Sequence, residues 1–103
     1  MIRVNYQRIG ARHRLAVEGH AGHSDIGTDI VCAGVSAVSY ALLGYLLKSG
    51  CNISEARADS GELLIDCTDK RAEPAFEMAL VGYNLIAKDY PQNVVLYSAS
   101  NGG

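Results

Sequence analysis

An uncharged and largely apolar run from Ile30 to Leu47 constrains most strongly what this chain can fold into. The run is long enough to cross a bilayer. Small and weakly polar residues interrupt it, however, and it lacks the basic flank that usually accompanies a membrane anchor. We therefore interpret it as the buried helix of a soluble domain. Thr28 or Asp29 is predicted to cap the start of this helix, and Gly50 is predicted to end it.

Composition narrows the class of protein. The chain has 103 residues, of which 49% are hydrophobic and 19% are charged, so it has the size of one domain and enough apolar side chains for a core. Its formal charge of −2 and the lack of any run of Lys or Arg argue against a nucleic-acid partner. Three cysteines do not form a disulfide framework, and the alternating N-terminal residues do not resemble a signal peptide. We therefore expect a cytoplasmic protein with no membrane partner.

Alternating apolar residues predict strands on either side of two helices. The predicted strands are residues 2–7, a second strand that is marked by Leu15 and Val17 and ends at Gly19, and residues 52–58, 62–67 and 94–97. The second helix is predicted to begin near Pro74, which fits only a first helical turn, and to end at Tyr90. The order β-β-α-β-β-α-β indicates an α/β two-layer sandwich, with both helices on one face of a mixed or antiparallel sheet. We predict one domain over residues 1–97 and a flexible tail over residues 98–103.

Cys32 is the first candidate for chemistry. If Thr28 or Asp29 caps the helix, Cys32 lies in the first turn, where unpaired backbone N–H groups and the helix dipole favour a thiolate. His20 lies one loop before this helix and is a candidate base, with His23 as a rival. The alternative is that Cys32 is a small buried apolar residue and that His20 is an exposed loop residue with no role.

A metal site competes with this interpretation. His20, His23 and Cys32 are ligand types that zinc accepts. No second compact ligand pair appears in the sequence, because Cys51 and Cys67 each stand alone. We therefore predict neither a metal nor another cofactor.

Neighbouring residues are candidates to support the Cys-His pair. Asp29 shares a helical face with Cys32, and it either orients the pair or only caps the helix. Ser36 follows Cys32 by one turn, and it either hydrogen-bonds near the thiol or bonds back to a helix carbonyl. Glycines allow close backbone approach, which suits a loop that contacts a substrate. The candidates for such contacts are Gly22, His23 and Gly27.

Two segments resemble the ribosomal-processing cysteine protease family, called Prp. They are Gly-His-Ala at residues 19–21 and Asp-Ile-Val-Cys-Ala-Gly-Val-Ser-Ala at residues 29–37, and the gap between them also fits. Weaker similarity extends to residues 60–61 and 90–91, so the resemblance covers most of the chain. It implies a small α/β fold, a homodimer, catalytic roles for His20 and Cys32, and supporting roles for Asp29 and Ser36.

The same resemblance implies an activity. Members of this family remove a short N-terminal extension from a large-subunit ribosomal protein, so the expected partner is that extension. In the implied mechanism His20 holds the proton of Cys32 and the thiolate attacks a peptide carbonyl. Two alternatives stay open: a phage-type protease that processes a capsid protein, and a non-catalytic ribosome-associated or interaction module.

The apolar helix separately predicts a homodimer. It is apolar nearly all round, and one small sheet cannot cover it completely. Its small residues would allow a second backbone to approach closely. They are Gly34, Ala37, Ala41 and Gly44.

Overall fold

The structure is a computed structural model that describes residues 1–19, 26–59 and 61–101, without the side chains of residues 26–29. These residues form five strands, two α-helices and one turn of 3-10 helix at Lys70–Ala72. In chain order the larger elements are β1 (Ile2–Ile9), β2 (Arg12–Glu18), α1 (Ile26–Lys48), β3 (Ile53–Asp59), β4 (Glu62–Thr68), α2 (Glu73–Asp89) and β5 (Val94–Asn101). The predicted α/β class and the order β-β-α-β-β-α-β are confirmed.

The five strands form one mixed sheet in the order β3-β4-β2-β1-β5. The pairs β1–β2, β2–β4 and β3–β4 are antiparallel, whereas β1–β5 is parallel. The parallel pair follows from α2, which carries the chain back so that β5 starts beside the start of β1. The two edges of the sheet are therefore β3 and β5.

The core lies between the two helices and one face of the sheet. Alternation along β1 turns Ile2, Val4 and Tyr6 towards this side, and all three are buried. From α2, Phe76 and Tyr83 are fully buried against the same cluster. Both helices thus share one face of the sheet, as predicted for a two-layer sandwich.

The opposite face of the sheet carries charged residues. On it, the buried carboxylate of Asp66 in β4 accepts hydrogen bonds from Arg12 at 2.8 Å and from Arg14 at 3.0 Å, both in β2. The hydrogen bond from Arg12, opposed in part by burial, holds the pKa of the Asp66 carboxyl below its usual value. Paired charges of this kind suit a face that is turned to solvent.

A buried histidine lies in the core between β2 and α2, beside Phe76. His13 is fully buried, and its Nδ1 lies 2.7 Å from the hydroxyl of Tyr6. Its ring stacks on Phe76 at a centroid distance of 4.5 Å and an interplanar angle of 4°. Its Nε2 has no hydrogen-bond partner among the described residues. Burial first, and the nearby charge of Arg8 second, lower the pKa of His13, so the ring is neutral at pH 7.

Helix α1 is buried along one side only. Val31, Val35, Leu42 and Leu46 face the core, whereas much of the rest of the helix is exposed. Its segment Ile30–Lys48 is long and apolar enough to span a membrane by length and composition, a property that core helices share. The helix is therefore a core helix on one side only, and its exposed side agrees with the expectation that one small sheet cannot cover it completely.

The start of α1 differs from the sequence prediction. The described part of α1 already starts at Ile26, so Thr28 and Asp29 are helical residues and do not cap the helix. Gly27, which we assigned to a loop, is helical as well. The reason is chemical: an acidic residue is favourable both at a cap and within the first turn, so residue type alone does not locate the first helical residue.

The C-terminal boundary also differs. Strand β5 continues to Asn101, and the residues from Ser98 onwards pair with Tyr6 to Ile9 of β1. The predicted tail over residues 98–103 is therefore wrong up to Asn101, and residues 102–103 lie outside the described chain. Small polar side chains suggested fraying, but the ladder is formed by backbone groups, which these residues carry like any others.

Candidate active site

A groove of about 390 Å³ opens between the first half of α1 and the turn end of the β3–β4 hairpin. Its lining includes Cys32, Ser36 and Tyr40 from α1 and Ala58 and Asp59 from β3. The groove forms because β3 lies beyond β4 at the edge of the sheet, where the helices no longer cover it. It is the place where the described residues bring a nucleophilic side chain to an accessible cavity.

Cys32 is half-buried in this groove and also packs against the hydrophobic core. Six described helical residues, Ile26 to Val31, precede it in α1. Cys32 therefore lies beyond the first turn, and the expectation that it belongs to the first turn was wrong. Its own backbone N–H is no longer among the unpaired groups that the argument for a thiolate relied on.

Gly19 fixes the chain on the opposite wall of the groove. Its backbone N–H donates to the carbonyl of Gly61 at 3.0 Å, which ties the end of β2 to the hairpin turn. Its φ is +103°, and an added Cβ would collide with the carbonyl oxygen of Met1. A glycine is therefore required here, directly before His20.

The structure leaves several predicted site residues untested. His20, Gly22 and His23 lie outside the described residues. Asp29 and Gly27 lie in α1, but nothing is described of the Asp29 side chain. Their predicted roles stay predictions.

Ser36 is placed where the sequence predicted it. It lies one turn after Cys32 on the same wall of the groove, and it is exposed. The neighbouring Ser39, which the sequence analysis did not single out, is buried and lines the deeper part of the groove. Ser39 donates to the carbonyl of Val35 at 2.7 Å, and its hydroxyl lies 2.7 Å from the hydroxyl of Tyr83 in α2.

The Ser39–Tyr83 pair joins the two helices behind the groove. Burial raises the pKa of Tyr83 to about 12, so its hydroxyl is neutral and can share a hydrogen bond. The sequence signal for this contact was a hydroxyl-bearing residue within the apolar side of each helix, Ser39 in α1 and Tyr83 in α2. It was not decisive, because only the packing of α1 on α2 shows that the two hydroxyls meet.

The other cysteines do not share the setting of Cys32. Cys51 and Cys67 are buried free thiols, and burial raises the pKa of Cys67 to about 11. Neither lines the groove. Within residues 1–19, 26–59 and 61–101, no three His, Cys, Asp or Glu side chains are grouped so that they could hold a metal ion.

A half-buried cysteine on a helix beside an open groove has the access that the nucleophile of a thiol peptidase needs. The model of the cysteine protease Prp family matches residues 1–95, and the chain belongs to this family. The family predicted from the sequence is confirmed, and with it the activity of a cysteine protease.

Individual relatives agree with this assignment. The ribosomal processing cysteine protease Prp of Staphylococcus aureus is 27% identical over 85 residues, which cover 78% of this chain and 80% of the relative. The crystal structure of the S. aureus protease with a covalently linked product peptide has a TM-score of 0.82 at 26% identity, covering 95% of this chain and 99% of the other. SMU.848 from Streptococcus mutans has a TM-score of 0.79 at 26% identity, covering 98% and 96%.

Proposed function

We propose that this protease removes a short N-terminal extension from a large-subunit ribosomal protein, with Cys32 as the nucleophile and His20 as the base. The observation that carries the proposal is the position of Cys32, the only one of the three cysteines that lines the groove among the described residues. The S. aureus relative is named as a ribosomal processing protease, and its structures hold a product peptide and a substrate peptide.

The groove supports the chemistry in a simple way. Cys32 is held on a rigid helix, and Gly19 on the facing wall leads directly into His20. In the proposed reaction His20 accepts the thiol proton and the sulfur attacks the peptide carbonyl carbon. His20 then gives the proton to the leaving amine, and water hydrolyses the thioester to regenerate the thiol. No cofactor takes part in these steps, and we place the reaction in the cytoplasm, where thiols stay reduced.

The test uses the N-terminally extended ribosomal protein of the host as substrate, with mass spectrometry to find the new N-terminus. Cys32→Ala is expected to abolish cleavage while the fold is kept, since alanine suits a helix. Cys32→Ser is expected to be almost as inactive, and His20→Ala to lower kcat severely. The matched control is Cys51→Ala, which removes a buried thiol that does not line the groove.

Cleavage by Cys32→Ala at the wild-type rate would exclude this site. Wild-type protein that binds the ribosomal protein without cutting it would favour the interaction module. Cleavage of a phage capsid protein but not of the ribosomal protein would favour the phage-type enzyme.

We also propose that two copies of the chain associate through the outer side of α1. Ala37, Ala41 and Gly44 are exposed there, and a Cβ on Gly44 would meet nothing within 4 Å. Gly34 does not belong to this surface: a Cβ on it would lie 3.4 Å from the Ile86 side chain of α2 in the same chain. Gly34 was predicted to lie in the dimer interface, but it instead allows α1 and α2 of one subunit to pack closely.

Sedimentation at micromolar concentration tests the dimer. Wild-type protein should sediment as a dimer, and Ala41→Glu should sediment near the 11.0 kDa of one chain. Val81→Glu, an equally drastic change at an exposed position of α2, should remain dimeric. Monomeric wild-type protein contradicts the proposal.

A further inference from the structure

Three side chains follow one another along the α1 wall of the groove. Cys32, Ser36 and Tyr40 are spaced by four residues, which places them on one helical face, and all three line the groove. Tyr40 is 54% exposed although its side chain is large and mostly apolar. From this arrangement we infer that Tyr40 is a specificity-determining residue, which contacts an apolar substrate side chain three or four residues from the scissile bond.

The spacing follows from helix and strand geometry. Cys32 and Tyr40 are separated by eight residues of α1, a rise of about 12 Å at about 1.5 Å per residue. An extended peptide advances by about 3.3 Å per residue. A peptide whose scissile carbonyl lies at Cys32 and which follows α1 therefore brings its third or fourth neighbouring residue to Tyr40.

The facing wall favours an extended substrate. Helix α1 runs from the groove towards Cys51, whose N–H donates to the carbonyl of Leu46 at the end of the helix. Strand β3 then runs in the opposite direction to α1 and brings the chain back to the groove. Because β3 is an edge strand, its outer backbone groups have no strand partner within the described sheet. Such an edge can receive an extended peptide by main-chain hydrogen bonds.

The width of the groove at Tyr40 is set by small residues. In β3, Ala56 lies opposite Ile65 of β4 and Ala58 lies opposite Leu63. Ile65 and Leu63 are buried under the helices, but the two alanines on the same face of the sheet are exposed. Ala58 also lines the groove. This leaves a shelf between the Tyr40 ring and the strand that a Leu-sized or aromatic side chain fills. Burial of that side chain against the ring is the source of the selectivity.

This inference rests on the proposed peptidase activity, and its test separates the two. The probe is a synthetic peptide that spans the cleavage site of the N-terminally extended ribosomal protein, together with versions carrying alanine at each position in turn. The enzymes are wild type, Tyr40→Ala, Tyr40→Phe and Tyr45→Ala. Tyr45 is the matched control, because it is 55% exposed on the same helix but does not line the groove.

Wild type should show a KM about ten-fold higher when alanine replaces the substrate residue three or four positions from the scissile bond, with kcat within about two-fold. Tyr40→Ala should have that raised KM for the parent peptide and should no longer respond to alanine at that position. Tyr40→Phe and Tyr45→Ala should behave as wild type. Ala58→Leu, at an exposed strand position, should raise KM for the parent peptide but not for the alanine version.

A Tyr40→Ala enzyme that keeps the wild-type KM, or that loses affinity equally for every peptide of the set, overturns the inference while the peptidase activity stands. A wild-type enzyme that cleaves none of the peptides, nor the full ribosomal protein, refutes the proposed function itself and the inference with it.

Discussion

Replacement of Gly19 by alanine should destabilise the fold far more than a similar change at another glycine with positive φ. Two effects add at Gly19. Its φ of +103° is a conformation that L residues rarely adopt, and the new Cβ would strike the Met1 carbonyl oxygen. That carbonyl has little freedom to move. The same peptide unit carries the N–H of Ile2, which donates to Asn93 at 2.8 Å, and the Ile2 side chain is buried.

The size of the effect can be worked out from these contacts. Backbone strain for a non-glycine residue at this φ costs about 1–3 kcal/mol. Moving the Met1 peptide unit aside would also break the Ile2–Asn93 hydrogen bond, at about 1 kcal/mol. Gly19→Ala should therefore lower the free energy of unfolding by about 2–4 kcal/mol. Gly50 is the matched control: its φ is +69° and a Cβ there would meet nothing within 4 Å. Gly50→Ala should cost about 1 kcal/mol or less, because lower entropy of the unfolded chain offsets part of the strain.

Urea unfolding of the two variants beside wild type measures the difference, and thermal unfolding should place Gly19→Ala several degrees below Gly50→Ala, at about 4–8 °C per kcal/mol. Because His20 follows Gly19 directly, Gly19→Ala should also lower peptidase turnover below the unfolding temperature, whereas Gly50→Ala should not. Equal stabilities for the two variants would refute the argument from the Met1 contact.

Two further predictions concern the buried polar groups. Burial lowers the pKa of His13 below its unfolded value of about 6.5, so the unfolded chain takes up the proton more readily; stability should be full above that pH and fall by up to about 1.4 kcal/mol per unit as the pH drops. Urea midpoints measured between pH 5 and pH 8 should fall with decreasing pH for wild type. The fall should be smaller for His13→Leu, and an equal fall in the two proteins would contradict the assignment to His13. Tyr83→Phe should lower the free energy of unfolding by about 1 kcal/mol, since it removes the hydrogen bond with Ser39 while Ser39 still donates to Val35. A Tyr83→Phe protein with the wild-type urea midpoint would show that this buried contact contributes nothing net.

The order of the elements could be predicted because local patterns determine it. Alternation in β1 and β2, turn residues between β3 and β4, and the helix-starting Pro74 each act over a few neighbouring residues. The arrangement of strands could not be predicted in the same way, because the order β3-β4-β2-β1-β5 depends on contacts between distant segments.

The residues of the candidate site also differ in whether local sequence patterns could identify them. Cys32 and Ser36 could be found from sequence, since their chemistry and helical spacing are local. Tyr40 and Ala58 could not be found from sequence, because they line the same groove only when β3 forms the edge strand of the sheet. The turn assigned to Cys32 was wrong for a related reason: Thr28 and Asp29 suit a cap and a first turn equally, so chemistry left the helix start undetermined.

The parallel pairing of β1 with β5 has a consequence for how the chain reaches its native state. Strand β1 is an inner strand of the finished sheet, but β5, its partner on one side, follows the other four strands of the sheet in chain order and is synthesised after them. Until β5 arrives, the backbone of β1 from Ile2 to Ile9 is an open edge that another chain can pair with. A chain shortened before Val94 would keep that edge permanently, and we expect it to self-associate rather than remain dispersed, even with both helices and the first four strands intact.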